Sequence, residues 1–428
     1  MLSVDDALAR ILAQVCANSV IELPLVESLG CVLARPVAAP FAVPPWDNSS
    51  MDGFAVQAVD TEGATFESVR ILRVIGQSLP GRLPETRVEA GTAVRIMTGA
   101  PLPAGANAVV PFEETNLGPD LGTAGASGDV AVHRPVRPGQ NVRPRGEDLE
   151  RGQRMLDEGQ LLGPAELGLL ASVGMATVPV VRRPVVAILS TGDELVAPGT
   201  ALEPGQIYDA NSYALSAAVQ GAGADPLMLG QVRDDPGALK RRLQQGLQAD
   251  LILTTAGVSM GDRDFVRAVL DDLGEPEFWR IRMRPGRPLV FGHLRGPGRR
   301  VPLVGLPGNP VSALLTFLLL VRPAILKMRG LPPIGLASVD ATLEERIVNE
   351  DGRRTFARVT LRRDGERWHA RLSGPQGSSV LSSLVAADGL AIVPEDLDAL
   401  EPGESTTVLL LREMTAPARQ AAALVATA

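Results

Sequence analysis

Three glycine-containing loops that directly follow short apolar runs constrain the fold of this chain more than any other feature. The loops and the runs before them are Ser190 to Glu194 after Val185 to Leu189, Gly257 to Asp264 after Leu251 to Leu253, and Leu306 to Ser312 after Leu303 to Gly305. Helical patterns near 211–221 and 236–248 alternate with the first two runs, which is typical of parallel βαβ units. Ligands of open α/β sheets bind at the carboxyl ends of the strands, so we predict one pocket for a polar, phosphorylated or metal-bearing ligand.

Length, charge and cysteine content exclude several classes of protein. A chain of 428 residues indicates about three domains, and a formal net charge of -8 argues against nucleic acid as the main partner. The N-terminus lacks the basic and apolar regions of a secretory signal, and two cysteines are too few for a disulfide framework. The longest apolar stretch, Val311 to Val321, is short of the roughly 20 residues that cross a bilayer. We therefore expect a cytoplasmic protein that contacts no membrane and buries this stretch as a helix.

The remaining pattern divides the chain into regions of different secondary structure. Apolar residues at helical spacing predict a helix within residues 3–18, with Ser3 as its N-cap. Short β-branched runs split by glycine and proline predict a β domain over about residues 32–145, followed by a helix at Pro164 to Val173. Short strands return after Gly330, which indicates a small all-β terminal domain.

Carboxylates gather on the first two glycine loops. Asp193, Glu194, Asp262 and Asp264 form the strongest acidic cluster, and oxygen ligands on loops suit Mg²⁺ held partly by substrate phosphates. The alternative is structural, with Asp193 capping the following segment and Asp264 paired with a neighbouring arginine.

Two further pairs of aspartates are open to two interpretations. Asp234 and Asp235 precede a predicted helix start at Pro236, where capping explains only one of them. Asp47 and Asp52 lie in a loop that prolines hold extended, so the loop can present carboxylates to another domain. Alternatively, Asp47 or Asn48 closes an Asx turn.

A dense positive run indicates anion binding. Arg280, Arg282, Arg284 and Arg287 surround Pro285 and Gly286, and alternate residues of a strand would point the first three to one side. Guanidinium groups suit oxyanions such as phosphate or a tetrahedral oxometalate, whereas the alternative is a solvated charged strand. A second basic group in the terminal domain consists of Arg353, Arg354 and Arg358, and this group could close over the same anion.

Six motifs in order along the chain carry a family resemblance. They are Trp46 to Gly53 (WDNSSMDG), Ile96 to Pro101 (IMTGAP), Arg145 to Asp148 (RGED), Ser190 to Glu194 (STGDE), Gly257 to Gly261 (GVSMG) and Leu306 to Pro310 (LPGNP). Together they resemble the molybdopterin molybdenumtransferases, and the E domain of gephyrin and its plant counterpart look similar. The motifs cover nearly the whole chain, which makes the resemblance specific.

The resemblance implies an α/β plus all-β fold in an elongated, multidomain subunit. Domain I would comprise residues 1–40 and 140–178, and the inserted β domain II residues 41–139. A three-layer α/β molybdopterin-binding domain III would span 179–329, a C-terminal β-barrel domain IV 330–412, and a disordered tail 413–428.

The resemblance also implies the reaction. Members insert molybdate into adenylylated molybdopterin in a Mg²⁺-dependent step that releases AMP and molybdenum cofactor. They are homodimers whose active site is shared between subunits. A molybdopterin adenylyltransferase and recipient molybdoenzymes would be transient partners.

Site residues follow from the resemblance motif by motif. The implied catalytic set is Asp52, Thr98, Asp148, Glu194, Asp234 and Asp264, and the implied metal ligands are Glu194, Asp262 and Asp264. The implied cofactor-binding set is Ser190, Thr191, Gly192, Asp193, Gly257, Ser259, Gly261, Arg284, Arg287, Pro288, Pro307, Gly308, Asn309, Ser312, Arg353 and Ser378.

One departure and two rival functions accompany the resemblance. The family commonly carries Lys-Pro-Gly-Lys-Pro where this chain has Arg284 to Pro288, which preserves charge but changes the geometry of anion binding. The rivals are a gephyrin-like binding scaffold without catalysis, and a nucleotide hydrolase or adenylyltransferase built on the same α/β domain. A histidine-driven hydrolase is not expected, because the three histidines form no recognised motif.

Overall fold

The fold was determined as a computed structural model that describes residues 1–117, 128–255, 264–349 and 351–412, with the side chains of residues 264 and 265 excluded. The predicted tail at 413–428 and most of the second glycine loop, at 256–263, therefore lie outside the described residues.

Eight α-helices are described: α1 (Val4–Ala13), α2 (Pro164–Ser172), α3 (Ala210–Gly221), α4 (Pro236–Gly246), α5 (Asp264–Leu273), α6 (Pro310–Thr316), α7 (Arg322–Met328) and α8 (Leu381–Ala386). The first strands are β1 (Val20–Pro24), β2 (Val32–Leu33), β3 (Val37–Ala38), β4 (Asn48–Ser49), β5 (Gly53–Val56), β6 (Arg70–Ser78), β7 (Thr92–Ile96), β8 (Ala108–Pro111), β9 (Gly128–Val132), β10 (Val142–Arg143), β11 (Arg154–Leu156) and β12 (Thr177–Val181). The next are β13 (Val185–Thr191), β14 (Leu195–Val196), β15 (Ile207–Tyr208), β16 (Asp225–Val232), β17 (Leu251–Thr255), β18 (Gly274–Arg280), β19 (Met283–Arg284), β20 (Pro288–Gly296) and β21 (Arg299–Leu306). The last are β22 (Ser338–Leu343), β23 (Ile347–Val348), β24 (Arg354–Asp364), β25 (Arg367–Leu372), β26 (Gly389–Val393), β27 (Ala399–Leu400) and β28 (Ser405–Leu410).

The chain forms two compact units. The larger unit comprises Met1–Glu22, Gly30–Ala34 and Pro179–Ala428, and the smaller unit comprises Leu23–Leu29 and Arg35–Val178. The finer division into four domains stays a prediction.

A six-stranded sheet in the order β16-β13-β17-β21-β20-β18 organises the larger unit. Neighbours among the first four strands are parallel, whereas β20 runs antiparallel to β21 and β18. Alternate residues of β13 enter different cores: Val186 and Ile188 pack with α1, α3 and α6, whereas Ala187 and Leu189 pack with α4 and α5. Helices therefore cover both faces, and the predicted three-layer α/β architecture is confirmed.

The apolar stretch beginning at Val311 lies in a continuous helix, Pro310–Met328. This helix is long and apolar enough to span a membrane by length and composition, but 72% of its most apolar window is buried inside the protein. The prediction of a buried helix is confirmed, although the helix continues past Arg322 and Pro323. A π-helical turn at Phe317–Val321 precedes this proline, which cannot donate a backbone hydrogen bond to the preceding turn.

A closed barrel forms the end of the larger unit. Each strand pairs with the next in the order β24, β25, β22, β28 and β26, and β26 pairs with β24 to close the barrel. Small and β-branched residues such as Ala357, Val359 and Ala391 fill its interior. This closure confirms the predicted terminal β-barrel. Strand β19 also pairs with β24, which joins the segment after β18 to the barrel.

The smaller unit contains a five-stranded sheet in the order β8-β5-β7-β6-β9. Both faces of this sheet are buried: Phe54 and Val110 pack in one core, and Ala55 and Val109 in another. The predicted β domain is therefore present, and its strands position the loops that carry Asp52 and Thr98.

One buried carboxylate joins the amino ends of three parallel strands. Asp250, immediately before β17, accepts two hydrogen bonds from Arg182 (2.7 and 2.8 Å), one from the Val185 amide of β13 (2.8 Å) and one from Arg299 of β21 (2.9 Å). Its side chain is only 3% exposed. Burial alone would raise the pKa of Asp250, but these hydrogen bonds outweigh burial and hold the pKa below its ordinary value.

We expect Asp250→Asn to destabilise the larger unit by about 3 kcal/mol, because it leaves two arginines without their buried counterion. Urea unfolding of the variant and the parent checks this. The control is Asp272→Asn, which removes an exposed partner of Lys240 and should change the urea midpoint little.

The difference in unfolding free energy between the parent and Asp250→Asn should depend on pH. A carboxyl group whose pKa is lowered by folding stabilises the fold at pH values above its unfolded-state pKa, which is about 4. This stabilisation is lost as pH falls through the folded-state pKa. A gap between parent and variant that stayed constant down to strong acid would contradict this role of Asp250.

Candidate active site

Polar side chains connect two of the predicted glycine loops at the carboxyl ends of the parallel strands. Ser190, at the end of β13, donates to Asp209 (2.6 Å), which also caps α3 by accepting from the Ser212 amide (3.0 Å). Asn211 in the first turn of α3 then donates to the carbonyl of Gly308 (2.6 Å), in the loop after β21. The first and third loops are therefore linked through the start of one helix.

The third loop also contacts the barrel. Asn309 donates to the Ser378 hydroxyl (3.0 Å), and the Val311 amide donates to the Ser378 carbonyl (3.1 Å). Gly308 and Asn309 are exposed, whereas Pro307 and Ser312 are buried. The structure thus brings Asn309 and Ser378 together.

Two residues of the first loop already have internal partners. Ser190 and Thr191 are both buried, and the Thr191 hydroxyl donates to the Thr255 carbonyl at 3.4 Å. Gly192 has a positive φ of 151°, and a side-chain carbon there would lie 2.7 Å from the Glu194 carboxylate oxygens. Glycine therefore lets Glu194 turn back over its own loop.

The first loop contacts the loop after β16 through an acidic residue. The Asp193 carboxylate accepts a hydrogen bond from the Asp234 amide at 3.0 Å. It does not cap the segment that follows it in the chain, so the capping alternative for Asp193 is wrong. Asp235 is the N-cap of α4, with Pro236 after it, and its carboxylate accepts from the Ala238 amide. Capping thus accounts for one of the two aspartates, as predicted.

The predicted magnesium ligands are only partly within the described residues. Asp262 and the loop residues Gly257, Ser259 and Gly261 lie outside them, and Asp264 is described only as the first residue of α5. Within the described parts of the chain, no group of three or more acidic, histidine or cysteine side chains is arranged to hold a metal ion. Glu194 and its described neighbours therefore do not complete a metal site by themselves.

The positive run is not one continuous strand. β18 ends at Arg280, and Ile281 bridges to Leu2 before β19 pairs with the barrel. The alternation nevertheless persists, because Ile281 and Met283 are buried while Arg282 and Arg284 are more exposed. The single-strand prediction is wrong, but the arginines still alternate with core residues.

Arg284 and Arg353 meet at one carboxylate. Arg353 forms an ion pair with Asp351, and Arg284 lies 4.0 Å from the same carboxylate. Arg353 also donates to the carbonyl of Met283 at 3.4 Å. The hydrogen bond from Arg353 is the main cause that holds the pKa of Asp351 below its ordinary value, and the charge of Arg284 adds to it. We call Arg284, Asp351 and Arg353 the anion cluster.

The turn between the two parts of the positive run packs against α6. Gly286 has a positive φ of 111°, and a side-chain carbon there would lie 2.6 Å from the Thr316 hydroxyl. Arg287 is exposed and its carbonyl accepts from the Ile281 amide at 2.8 Å, while Pro288 begins β20. The Arg284 to Pro288 element is therefore close to the helix that follows the third loop.

The other two arginines of the second basic group do not join the cluster. Arg354 forms ion pairs with Glu395 and Asp5 at 3.0 Å each. Arg358 is fully buried and donates to Ser383 and to the carbonyls of Pro375 and Gly377, just before Ser378. Burial lowers the pKa of Arg358. Arg353 therefore lies beside the carboxylate that Arg284 approaches, whereas Arg354 and Arg358 have other partners, and closure over a bound anion stays a prediction.

The smaller unit contains the other predicted residues. Asp52 accepts from both the amide (2.6 Å) and the hydroxyl (2.8 Å) of Thr98. Asp148 is exposed, and its amide donates to the Val43 carbonyl at 2.9 Å. The structure therefore pairs Asp52 with Thr98, which lie in separate motifs.

The loop around Asp47 differs from the Asx-turn alternative. Asp47 accepts from the amide of Arg145 at 2.7 Å, which joins two motifs distant in sequence. The local turn is closed instead by Ser49, which accepts from the Met51 amide at 3.2 Å.

Sequence patterns alone missed three residues of this region. Asp209 stands directly before a helical segment, which signals an N-cap but not its bond to Ser190. Asn211 carries no local signal, because its partner Gly308 is distant in sequence. Asp351 lies two residues before Arg353, but its position near Arg284 has no local signal.

Comparison with known proteins decides the family. Three family models match in order: MoeA N-terminal region (domain I and II) at residues 2–174, probable molybdopterin binding domain at residues 187–327, and MoeA C-terminal region (domain IV) at residues 340–411. Molybdopterin molybdenumtransferase 2 of Mycobacterium tuberculosis is 39% identical over 398 residues, covering 91% of this chain and 94% of that protein. This chain belongs to the molybdopterin molybdenumtransferase family.

Further comparisons agree. Molybdopterin molybdenumtransferase of Haemophilus influenzae is 35% identical over 415 residues, covering 95% of this chain and 98% of that protein. The molybdopterin biosynthesis MoeA protein of Pyrococcus horikoshii has a TM-score of 0.79 and 33% identity, covering 96% of this chain and 99% of that chain. The resemblance carried by the six motifs is confirmed, and the chain is an enzyme of molybdenum cofactor biosynthesis.

If the contact between Asn309 and Ser378 positions the third loop, Ser378→Ala and Asn309→Ala should each lower kcat/KM for molybdenum cofactor formation about fivefold. The double variant should lose no more than either single variant, because both remove the same hydrogen bond. The neighbouring exposed Ser379→Ala is the control. Fully additive losses would show that the two side chains act separately.

Proposed function

We propose that this protein inserts molybdate into adenylylated molybdopterin, hydrolyses the adenylyl bond, and releases AMP and molybdenum cofactor. Family membership supports the broad activity. The choice of molybdate insertion over nucleotide chemistry alone is supported by the arrangement of the anion cluster.

The observation that carries the proposal is that Arg284 and Arg353 already converge on an oxyanion, the carboxylate of Asp351. They come from distant parts of the chain, on β19 and immediately before β24. Guanidinium groups arranged around a carboxylate also suit a tetrahedral oxometalate, which offers more oxygens and a second negative charge.

In the proposed reaction, each group of residues has a separate task. Arg284 and Arg353 of the anion cluster bind molybdate, and the exposed residues Gly308 and Asn309 receive the pterin phosphate. The hydrogen bonds through Asn211 and Ser378 keep that loop in position, so that little ordering is needed when the substrate arrives. No covalent enzyme nucleophile is required, because the attacking oxygen comes from water.

We further propose that the reaction requires Mg²⁺. When bound, this ion would neutralise charge on the adenylyl diester. Glu194 and its described neighbours do not complete a Mg²⁺ site, so the proposed Mg²⁺ requirement depends on ligands from Asp262 and Asp264. Removal of divalent ions by a chelator should stop AMP release, and Mg²⁺ should restore it.

The proposed setting is a cytoplasmic homodimer with a shared active site. Two free cysteines, one exposed and one buried, are in keeping with a reducing compartment. The substrate implies an upstream molybdopterin adenylyltransferase, and the product implies recipient molybdoenzymes as transient partners.

Incubation of the purified protein with adenylylated molybdopterin, Mg²⁺ and molybdate should give molybdate-dependent AMP release together with reconstitution of a cofactor-free molybdoenzyme. Molybdate completes the reaction because it fills the dithiolene as the adenylyl group leaves. AMP release without reconstitution would indicate the hydrolase alternative. Neither signal, with molybdate or tungstate, would favour the binding scaffold.

A shared site makes a distinct prediction for mixed variants. Asp264→Asn and Asp52→Asn should each abolish AMP release, and Asp264→Asn should still bind substrate. When the two variants are denatured, mixed and refolded, heterodimers would contain one intact site, which restores about a quarter of the parent activity. A refolded mixture that stays inactive while refolded parent recovers would reject the shared site.

A further inference from the structure

The anion cluster contains a competitor for its own proposed substrate. Asp351 is the carboxylate on which both arginines converge, and about a third of its side chain is exposed (34%). The pKa of Asp351 lies below its ordinary value, so the carboxylate is ionised at neutral pH. Molybdate cannot contact both guanidinium groups fully while this carboxylate is hydrogen-bonded to Arg353 and lies 4.0 Å from Arg284.

Both arginines of the cluster have structural supports other than Asp351. Arg353 retains the Met283 carbonyl as a partner, and its side chain is only 19% exposed. The backbone of Arg284 is held in place by the pairing of β19 with β24. The residue after Asp351 is Gly352, which has a positive φ, and a side-chain carbon there would have no neighbouring atom closer than 3.8 Å.

We propose that Asp351 is an internal counterion that occupies Arg284 and Arg353 until molybdate displaces it, and that this competition sets the KM for molybdate. The inference rests on the proposed function. A dianion with four oxygens replaces a monovalent carboxylate because it makes stronger charge-assisted hydrogen bonds to both guanidinium groups.

The test is Asp351→Asn, with anion binding followed by calorimetry. The dissociation constants of molybdate and of nitrate should both fall about three- to fivefold, because an exposed ion pair of this kind is worth up to about that factor. KM for molybdate should fall by the same factor, with kcat within about twofold of the parent. Asp351→Glu, which restores a carboxylate, should bring the constants back toward the parent values.

The control is Glu395→Gln, which removes a carboxylate from an arginine outside the cluster, Arg354, and should leave both dissociation constants unchanged. Asp351→Ser serves as a second variant if Asp351→Asn does not fold.

Two results would overturn the inference. Unchanged or weaker molybdate binding would show that Asp351 only orients Arg353. If the factor by which molybdate binding tightens equals the square of the factor for nitrate, Asp351 acts only as a distant negative charge. The electrostatic field of such a charge acts twice as strongly on a dianion as on a monoanion, whereas displacement of Asp351 favours both anions by the same factor.

The failure of the proposed function is distinguishable from these results. The parent protein is measured first, and absence of molybdate binding and of molybdate-dependent turnover in the parent would reject the proposed function itself. Binding and turnover in the parent, with no tighter binding in Asp351→Asn, would reject only the role of Asp351.

Discussion

The contact between Asp250 and its two arginines fixes the frame on which the candidate active site is built. Asp250 receives hydrogen bonds at the amino ends of β13, β17 and β21, three parallel neighbours in the sheet. The registers of these strands place Ser190, Thr255 and Leu306 side by side at the carboxyl ends, where the first and third glycine loops begin. A buried, fully hydrogen-bonded carboxylate far from the candidate site therefore helps to set the relative positions of the site's loops.

At the carboxyl ends of the strands, polar side chains also fix the relative positions of neighbouring segments, over shorter distances. Asp209 links the end of β13 to the start of α3, and Asn211 links α3 to the third loop. Asn309 and Ser378 continue the connection to the barrel. Each of these groups is a donor or acceptor that would otherwise need water, so the same hydrogen bonds that satisfy the loops also fix their geometry.

Local patterns predicted most of the framework. Helix α1 with its Ser3 cap, helix α4 with its Asp235 cap and strand β13 follow from periodicity and capping signals over a few residues. The buried helix after Pro310 was also predictable, but its continuation through Pro323 was not. There, core packing on both sides outweighs the cost of a missing hydrogen bond, which a π-helical turn accommodates.

The sequence by itself determined the family, the alternation of strands and helices, and the chemical character of the loops, because these depend on residue types at short spacing. Only the tertiary structure decided which charges meet. It placed Arg353 beside Asp351 and near Arg284, and it paired Arg354 with Glu395 and Asp5. It buried Arg358 on the face of β24 opposite the barrel interior, against Ser383. Three arginines within six residues look equivalent in sequence, but strand pairing between β19 and β24 and barrel closure direct them to different surroundings. Coulomb and hydrogen-bond energies depend on distance in space and not along the chain, so a local pattern could not assign the partners that are distant in sequence.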